Sequence, residues 1–322
     1  MYSPIKKLDT EFFVLAIIIV LLWSTPPLVS KLWVGSGIFP GFFFGFLRYI
    51  FGAVFLIIIV ASQGKVKILF KIFRTKFHEV LFCAFWLSLM ILGQNFSILF
   101  ILGSSSSVLL NFNPTLIYLF APLLFVDEKY TKRKTIGVVI SSIGIGVVFL
   151  ASLETASALS LTDFIIGNGL GFLSGVGWAG YSLSLKRLFH EKEVQEITAL
   201  NLFVASIILL TISIITEHFP PIESYSLLSV WGLIVIGIGA AGVAFTLYLM
   251  LVQKYGAIHA GNIQFLIPLV SILFAWIYLA EFSRFALIGG ILCAFGVALV
   301  SFEFSFRSRE STNSTDPSNE YI

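Results

Sequence analysis

The order of residues between Gly103 and Gly146 returns between Gly256 and Gly296. In the first copy a hydrophobic segment has Pro114 near its middle and is closed by Glu128, and a second hydrophobic segment opens on Gly137 and carries Gly144. Pro268, Glu281, Gly289 and Gly296 repeat that order 152 to 154 residues further on. Upstream, Trp23 and Lys31 stand eight apart, as do Trp178 and Lys186, at an offset of 155. A period this long is a duplicated half-chain, and it divides the sequence near residue 155 before any local reading begins.

What each half can fold into depends on how it covers its apolar surface. Of 322 residues, 58% are hydrophobic and 11% charged, with a mean hydropathy of +0.99. So few charges cannot cover a water-soluble domain of this size. Backbone facing lipid must satisfy its own hydrogen bonds, so the expected class is an all-α integral membrane protein. A bilayer core about 30 Å thick takes roughly 20 apolar residues per helix. Ten such transmembrane spans can be drawn, over residues 12–33, 41–61, 80–101, 105–126, 135–151, 165–185, 199–215, 228–252, 257–279 and 285–302.

Five spans per half is an odd number, so the second half enters the membrane upside down relative to the first. Two inverted five-helix repeats are the usual frame of secondary transporters, with the site near the midplane between them. The expected organisation is a cytoplasmic N-terminus over 1–11, repeats over 12–152 and 165–303, an extracytoplasmic connector over 153–164, and a disordered cytoplasmic tail over 304–322. With the N-terminus inside, 17 of the 20 lysines and arginines fall in cytoplasmic segments, as the positive-inside rule requires. The multi-pass chain is therefore expected in the plasma (inner) membrane with both termini cytoplasmic. Lys6 and Lys7 precede an apolar run as in a signal peptide, but the run continues past Trp23 without a small-residue cleavage site and reads as the first span. Cys83 and Cys293 fall inside spans and suggest no disulfide framework. A net charge of +3 belongs to loops at a membrane surface and implies no nucleic-acid partner.

Polar and helix-breaking residues inside the spans mark where a site could lie. Pro26 and Pro27 in the first span, Pro114 in the fourth and Pro268 in the ninth each remove a backbone donor near mid-span. They free the carbonyls of Leu22, Trp23, Leu110 and Gln264. Around them stand Ser24, Gln94 and Asn95, Asn111 and Asn113, Tyr248, and His259, Asn262 and Gln264. Amides in a membrane are often helix-to-helix glue, but corresponding clusters in both repeats suggest a polar cavity. Arg48 sits eight residues beyond Pro40, about 12 Å down its span. Together with Lys31 it either snorkels to the interface or attracts a carboxylate, phosphate or other anionic group. No acidic residue lies deep in any span, which weakens an ion-coupled mechanism. Glu128 and Glu281 read as structural span ends. The glycine-rich final helices of each half could pack within the protomer or build a homodimer.

Leu21 to Ser24 with Lys31 following, Phe46 to Tyr49, and the blocks from Pro114 to Glu128 and from Pro268 to Glu281 together resemble the drug/metabolite transporter superfamily, EamA type. The resemblance spans about residues 12 to 303. It implies a carrier that rocks between inward-open and outward-open states and commonly exports amino acids or related metabolites. It also implies a cavity lined by Trp23, Ser24, Asn95, Asn111, Trp178, Tyr181, Tyr248 and Asn262. The expected substrate-binding set is these residues with Lys31, Arg48 and Gln264; no catalytic residue, metal or cofactor is expected. The partners are a small-molecule substrate and the lipid bilayer. Competing readings are a transporter of phosphorylated or nucleotide-linked metabolites and a membrane-embedded enzyme acting on a lipid-linked substrate. The enzyme would need clustered acids, histidines or metal ligands, and the four histidines are scattered along the chain.

Overall fold

The computed structural model describes residues 9–125, 130–154, 160–188, 193–221, 223, 225–255 and 263–301. Glu128, His259 and Asn262, and the terminal segments 1–8 and 302–322, lie outside the described residues. Among the described residues all regular structure is helical. The first half comprises α1 (Thr10–Trp33), α2 (Gly41–Ser62), α3 (Val66–Thr75), α4 (Phe77–Ser97), α5 (Gly103–Leu110), α6 (Asn113–Leu124) and α7 (Lys132–Glu154). The second comprises α8 (Leu161–Leu188), α9 (Val194–Thr216), α10 (Leu227–Ile236), a π-helical segment (Gly237–Val243), α11 (Ala244–Tyr255), a 3₁₀ turn (Ile263–Leu266), α12 (Ile267–Leu279) and α13 (Arg284–Ser301).

Among the described residues seven stretches are long and apolar enough to cross a membrane, against the ten spans expected. The shortfall has physical causes. The 28 residues of α8 are diluted by glycine, asparagine and serine, while α12 and α13 are apolar but shorter. A second difference is α3, a helix between the second and third expected spans, where none was drawn. The chain leaves α2 through Gly64, whose φ of +72° is a left-handed conformation that glycine adopts freely.

The prolines divide into two kinds. Pro114 and Pro268 each occupy the first turn of a helix, α6 and α12; α-helix is interrupted at Asn111 and Phe112 in the fourth expected span and gives way to a 3₁₀ turn just before α12 in the ninth. The Leu110 carbonyl freed by Pro114 accepts from Asn113 Nδ2 at 3.1 Å. Pro26 and Pro27, by contrast, do not break α1, which runs through both. Thr25 Oγ1 donates to the Leu22 carbonyl at 2.8 Å and so replaces the donor that Pro26 lacks.

The two halves pack face to face. Helix α2 lies against α9 and α7 against α13, while α4 packs on α8 and on α9. Contacts of α5 and α6 with α8 have an exchanged counterpart in α12 with α1, and those of α4 with α9 in the π segment with α2. Glycines set the closest approaches. A Cβ on Gly144 would lie 2.8 Å from the Gly289 carbonyl oxygen, and one on Gly289 would lie 2.6 Å from that of Gly144. The glycine faces of α7 and α13 thus cover each other within one protomer, which removes those faces from any homodimer. Buried side chains form one cluster along α2, α4, α8 and α9, centred on Tyr49, Leu87, Ile91 and Leu202. A second joins α5 to α7 and α13 through Val108, Val148 and Cys293.

Candidate functional site

A small cavity of about 60 Å³ lies where α1, α2, α4, the α5–α6 break, α8, α11 and the 3₁₀ turn meet. Trp23, Pro26 and Pro27 reach it from α1, Arg48 from α2, Gln94 from α4, Ser107 and Asn111 from α5 and its end, Asn113 from α6, Trp178 from α8, Phe245 from α11, and Gln264 from the 3₁₀ turn. Both halves therefore contribute, as do both interrupted spans. The volume holds a few waters and is far below the several hundred Å³ of a usual ligand pocket.

One wall is aromatic. The Trp23 ring lies 6.4 Å from Trp178 and 5.6 Å from Phe245, and the last two are 5.8 Å apart. Trp23 is aimed by a hydrogen bond from its Nε1 to the Ala240 carbonyl at 3.0 Å. That carbonyl belongs to the π segment, where i→i+5 bonding redirects backbone groups. The small residues of this run also let α2 approach: a Cβ on Gly52 would lie 2.6 Å from the Ala241 Cβ. Tyr248 stands behind Trp23, 5.2 Å ring to ring, and is hydrogen-bonded to Gln264.

The opposite wall carries charge and unpaired polar atoms. Arg48 is 7% exposed and donates from Nη1 to Gln94 Oε1 at 3.1 Å, while its Nε has no partner. Among the described residues no carboxylate pairs with it. Nearby, Ser107 Oγ and Asn113 Oδ1 are also buried without partners. A guanidinium presents five N–H donors in a fork that fits a carboxylate, and a buried cation without a counter-charge costs several kcal/mol.

Lys31 behaves differently. Its Nζ donates to the carbonyls of Ile98 at 2.6 Å and Ile101 at 3.2 Å, and lies 3.9 Å from Glu281 Oε1. Glu281 Oε2 in turn accepts from the Gly103 N–H, the first residue of α5, at 3.2 Å. The set latches the end of α1 to the start of α5 and to the turn after α12, and neither Lys31 nor Glu281 lines the cavity. Burial pushes the Glu281 carboxyl above its ordinary range, and the Lys31 ammonium and the Gly103 N–H partly oppose that.

The other expected residues are placed as follows. Trp23, Arg48, Asn111, Trp178 and Gln264 line the cavity with Pro26 and Pro27. Ser24 is glue: its Oγ donates to the Val20 carbonyl at 2.7 Å and to the Ile267 carbonyl of α12 at 3.2 Å. Asn95 is consumed by structure, with Nδ2 donating to the Gly41 carbonyl at 2.9 Å and Oδ1 accepting from Ser30 Oγ at 3.0 Å. Its neighbour Gln94, one position earlier and so about 100° round the helix, takes the cavity place. Tyr181 is turned into the main apolar cluster with Asn201 and Thr198 near its hydroxyl. Pro114 and Pro268 act by starting α6 and α12. Phe245, Ser107 and the π segment carry no motif; the run Gly237 to Gly242 was the available signal, since small residues permit close helix approach.

Residues 165–302, within the second half, match the EamA-like transporter family. Over those residues the chain is similar to the EamA type of the drug/metabolite transporter superfamily. Among curated relatives, the uncharacterized transporter YoaV of Bacillus subtilis is 24% identical over 294 residues, covering 90% of this chain and 96% of the relative. The uncharacterized transporter YvbV of the same organism is 26% identical over 186 residues, 58% of each chain. A crystal structure that is 18% identical superposes with a TM-score of 0.63 over 89% of this chain and 96% of its own, which shows a common fold. The family match, the names of these relatives and the apolar helices support a multi-pass membrane protein of the transporter type.

Proposed function

We propose that the protein is a secondary transporter of small carboxylate-bearing metabolites, in the first place an exporter of amino acids or related compounds. The observation that carries this reading is Arg48, a buried guanidinium hydrogen-bonded to one neutral amide and with no partner for its Nε, lining the same small cavity as Asn113 and Ser107, whose Oδ1 and Oγ are also unpartnered. A carboxylate would supply the missing counter-charge. An ammonium would find the Asn113 carbonyl oxygen and the faces of Trp23, Trp178 and Phe245, where cation–π attraction is worth about 0.5–2 kcal/mol. An amino acid carries both groups a few ångströms apart.

Ten crossings in two inverted repeats, both termini in the cytoplasm and a plasma-membrane location complete the proposal. The exchanged packing of the halves and the paired interruptions before Pro114 and Pro268 support it. Alternating access then means that the cavity opens to one side as the Lys31 end separates and to the other as the opposite end does. A phosphorylated substrate would call for more than one cation in the cavity, and Arg48 is the cation among the residues lining it.

The test is flux of a radiolabelled panel of amino acids, organic acids and sugar phosphates into proteoliposomes, with and without a pH gradient, for the wild type and Arg48→Ala. Flux of zwitterionic or monocarboxylate solutes that disappears in the variant supports the reading. A panel in which only uncharged solutes move, equally in both proteins, would overturn it. Chemical change of a solute would favour the enzyme instead.

A further inference from the structure

Helix α3 has three faces, and each meets a different medium. Taking Val66 as the origin and 100° per residue, Ile68, Leu69 and Ile72 point between about 200° and 300°. These pack on the main apolar cluster, with Ile72 3% exposed. Val66, Phe70 and Phe73 fall within about 40° of the origin, and Phe77, which starts α4 beyond the non-helical Lys76, stacks on Phe73. All four are exposed, Phe70 by 68%. Lys67, Lys71 and Arg74 occupy the third sector, near 80° to 140°, and are exposed as well. Within the described residues none of these three cations has an ion-pair partner.

The position of α3 says what those faces meet. It joins the end of α2 to the start of α4, so it sits at the rim of the bundle, and it packs against α9, α4 and α2. Lys65, just before it, pairs at 3.3 Å with Glu196 in the first turn of α9. Its ten residues make a rod about 15 Å long that cannot cross a bilayer. Phe73 and Phe77 stack edge to face at 5.3 Å, so the apolar stripe continues unbroken into α4, whose outer face is also apolar and exposed at Leu81, Phe82 and Phe85. A continuous apolar surface that runs from a spanning helix onto α3, with cations along its margin, is the pattern of a helix lying in the interface of a negatively charged leaflet.

We propose that α3 is an interfacial helix that binds anionic phospholipid, with Val66, Phe70, Phe73 and Phe77 in the acyl boundary and Lys67, Lys71 and Arg74 on the headgroup phosphates. Because Lys65 and the buried residues of α3 fasten it to α9, the lipid grips the rim where the second half of the molecule begins. This inference rests on the chain spanning a membrane, not on any substrate.

The test uses full-length protein in vesicles. Cys83 and Cys293 are fully buried, so Phe70→Cys can be labelled selectively with an environment-sensitive fluorophore. Spin-labelled phosphatidylglycerol and spin-labelled phosphatidylcholine are then compared as quenchers at equal mole fraction. The expected result is apolar emission, with quenching by phosphatidylglycerol the stronger. One Lys or Arg near an anionic surface strengthens binding about fivefold. In the K67Q/K71Q/R74Q background, where only exposed residues change, the local preference should fall by about tenfold or more at low salt. A label at Phe73→Cys repeats the measurement in case the first position disturbs the helix. Water-like emission unquenched by either lipid, or a preference that survives the triple substitution, overturns the proposal.

Discussion

Two cations sit within the helical bundle, and their surroundings are opposites. Lys31 has two backbone carbonyls and a carboxylate around one ammonium, and all three lie on other elements of the chain. Arg48 is more deeply buried, has more donors to satisfy and finds one neutral amide. A side chain whose demand is met by the protein holds the protein together. One whose demand is unmet is waiting for something the protein does not contain. From sequence the two looked alike, as cations that could face one vestibule, and what separates them is which backbone carbonyls and carboxylates the folded chain brings within reach.

The largest effect should come from Arg48→Ala, which removes the charge without touching the latch. Proteoliposome flux of carboxylate solutes is expected to fall by a factor of about ten to a hundred, matching the loss of a charge-assisted pair of hydrogen bonds worth about 1.5–3 kcal/mol. Circular dichroism and elution volume should stay as in the wild type. Arg48→Lys should restore little of the flux, since an ammonium lacks the planar fork.

The latch should respond in stability and access instead. In Lys31→Ala, Ile98 and Ile101 lose a donor and Glu281 loses its counter-charge, so the thermal midpoint should fall by several degrees. A cysteine placed at Gly103 should also become reactive from the Lys31 end. If the variant loses solute selectivity while its stability is unchanged, the contrast between the two cations fails.

Stability should depend on pH through the same contact, and the sign follows from Glu281. Its folded-state affinity for a proton is raised, so as pH falls the folded protein takes up this proton before the unfolded chain does. The carboxyl is thus neutralised above the ordinary glutamate value of about 4.3, and its ion pair with Lys31 goes with it. Protonation favours the folded state as pH falls through that window and no longer does so as pH rises through the folded value. The thermal midpoint should therefore rise relative to that of Glu281→Gln as pH falls through that window, and the difference should vanish as pH rises above it.

The smallest effects should fall on residues that orient others. Trp23→Phe keeps a ring but loses the bond to the Ala240 carbonyl, about 1 kcal/mol, and should raise the apparent KM a fewfold. Asn95→Ala should lower stability by about 1 kcal/mol with no change in the order of preferred solutes, because both its bonds are to the scaffold.

How far the sequence could be read differs by residue. Pro114 and Pro268 were legible because a missing N–H inside an apolar run has few outcomes, and each does begin a helix after an interruption. Pro26 and Pro27 have the same chemistry, but Thr25 supplies a substitute donor and α1 continues. Gln94 and Asn95 were indistinguishable as neighbouring amides, and rotation about the α4 axis sends one to the cavity and the other to Gly41 and Ser30. The three faces of α3 were present in the sequence too, in a stretch too short and too charged to stand out as a span.

Duplication, membrane residence and the helical class followed from residue order and apolar content, because lipid admits so few backbone solutions that composition nearly dictates them. Only the tertiary structure decided that Lys31 is spent and Arg48 is not, that a π turn aims Trp23, and that the glycine faces of α7 and α13 meet each other. Those outcomes depend on distances of a few tenths of an ångström between residues far apart in the chain, and no local pattern carries such information.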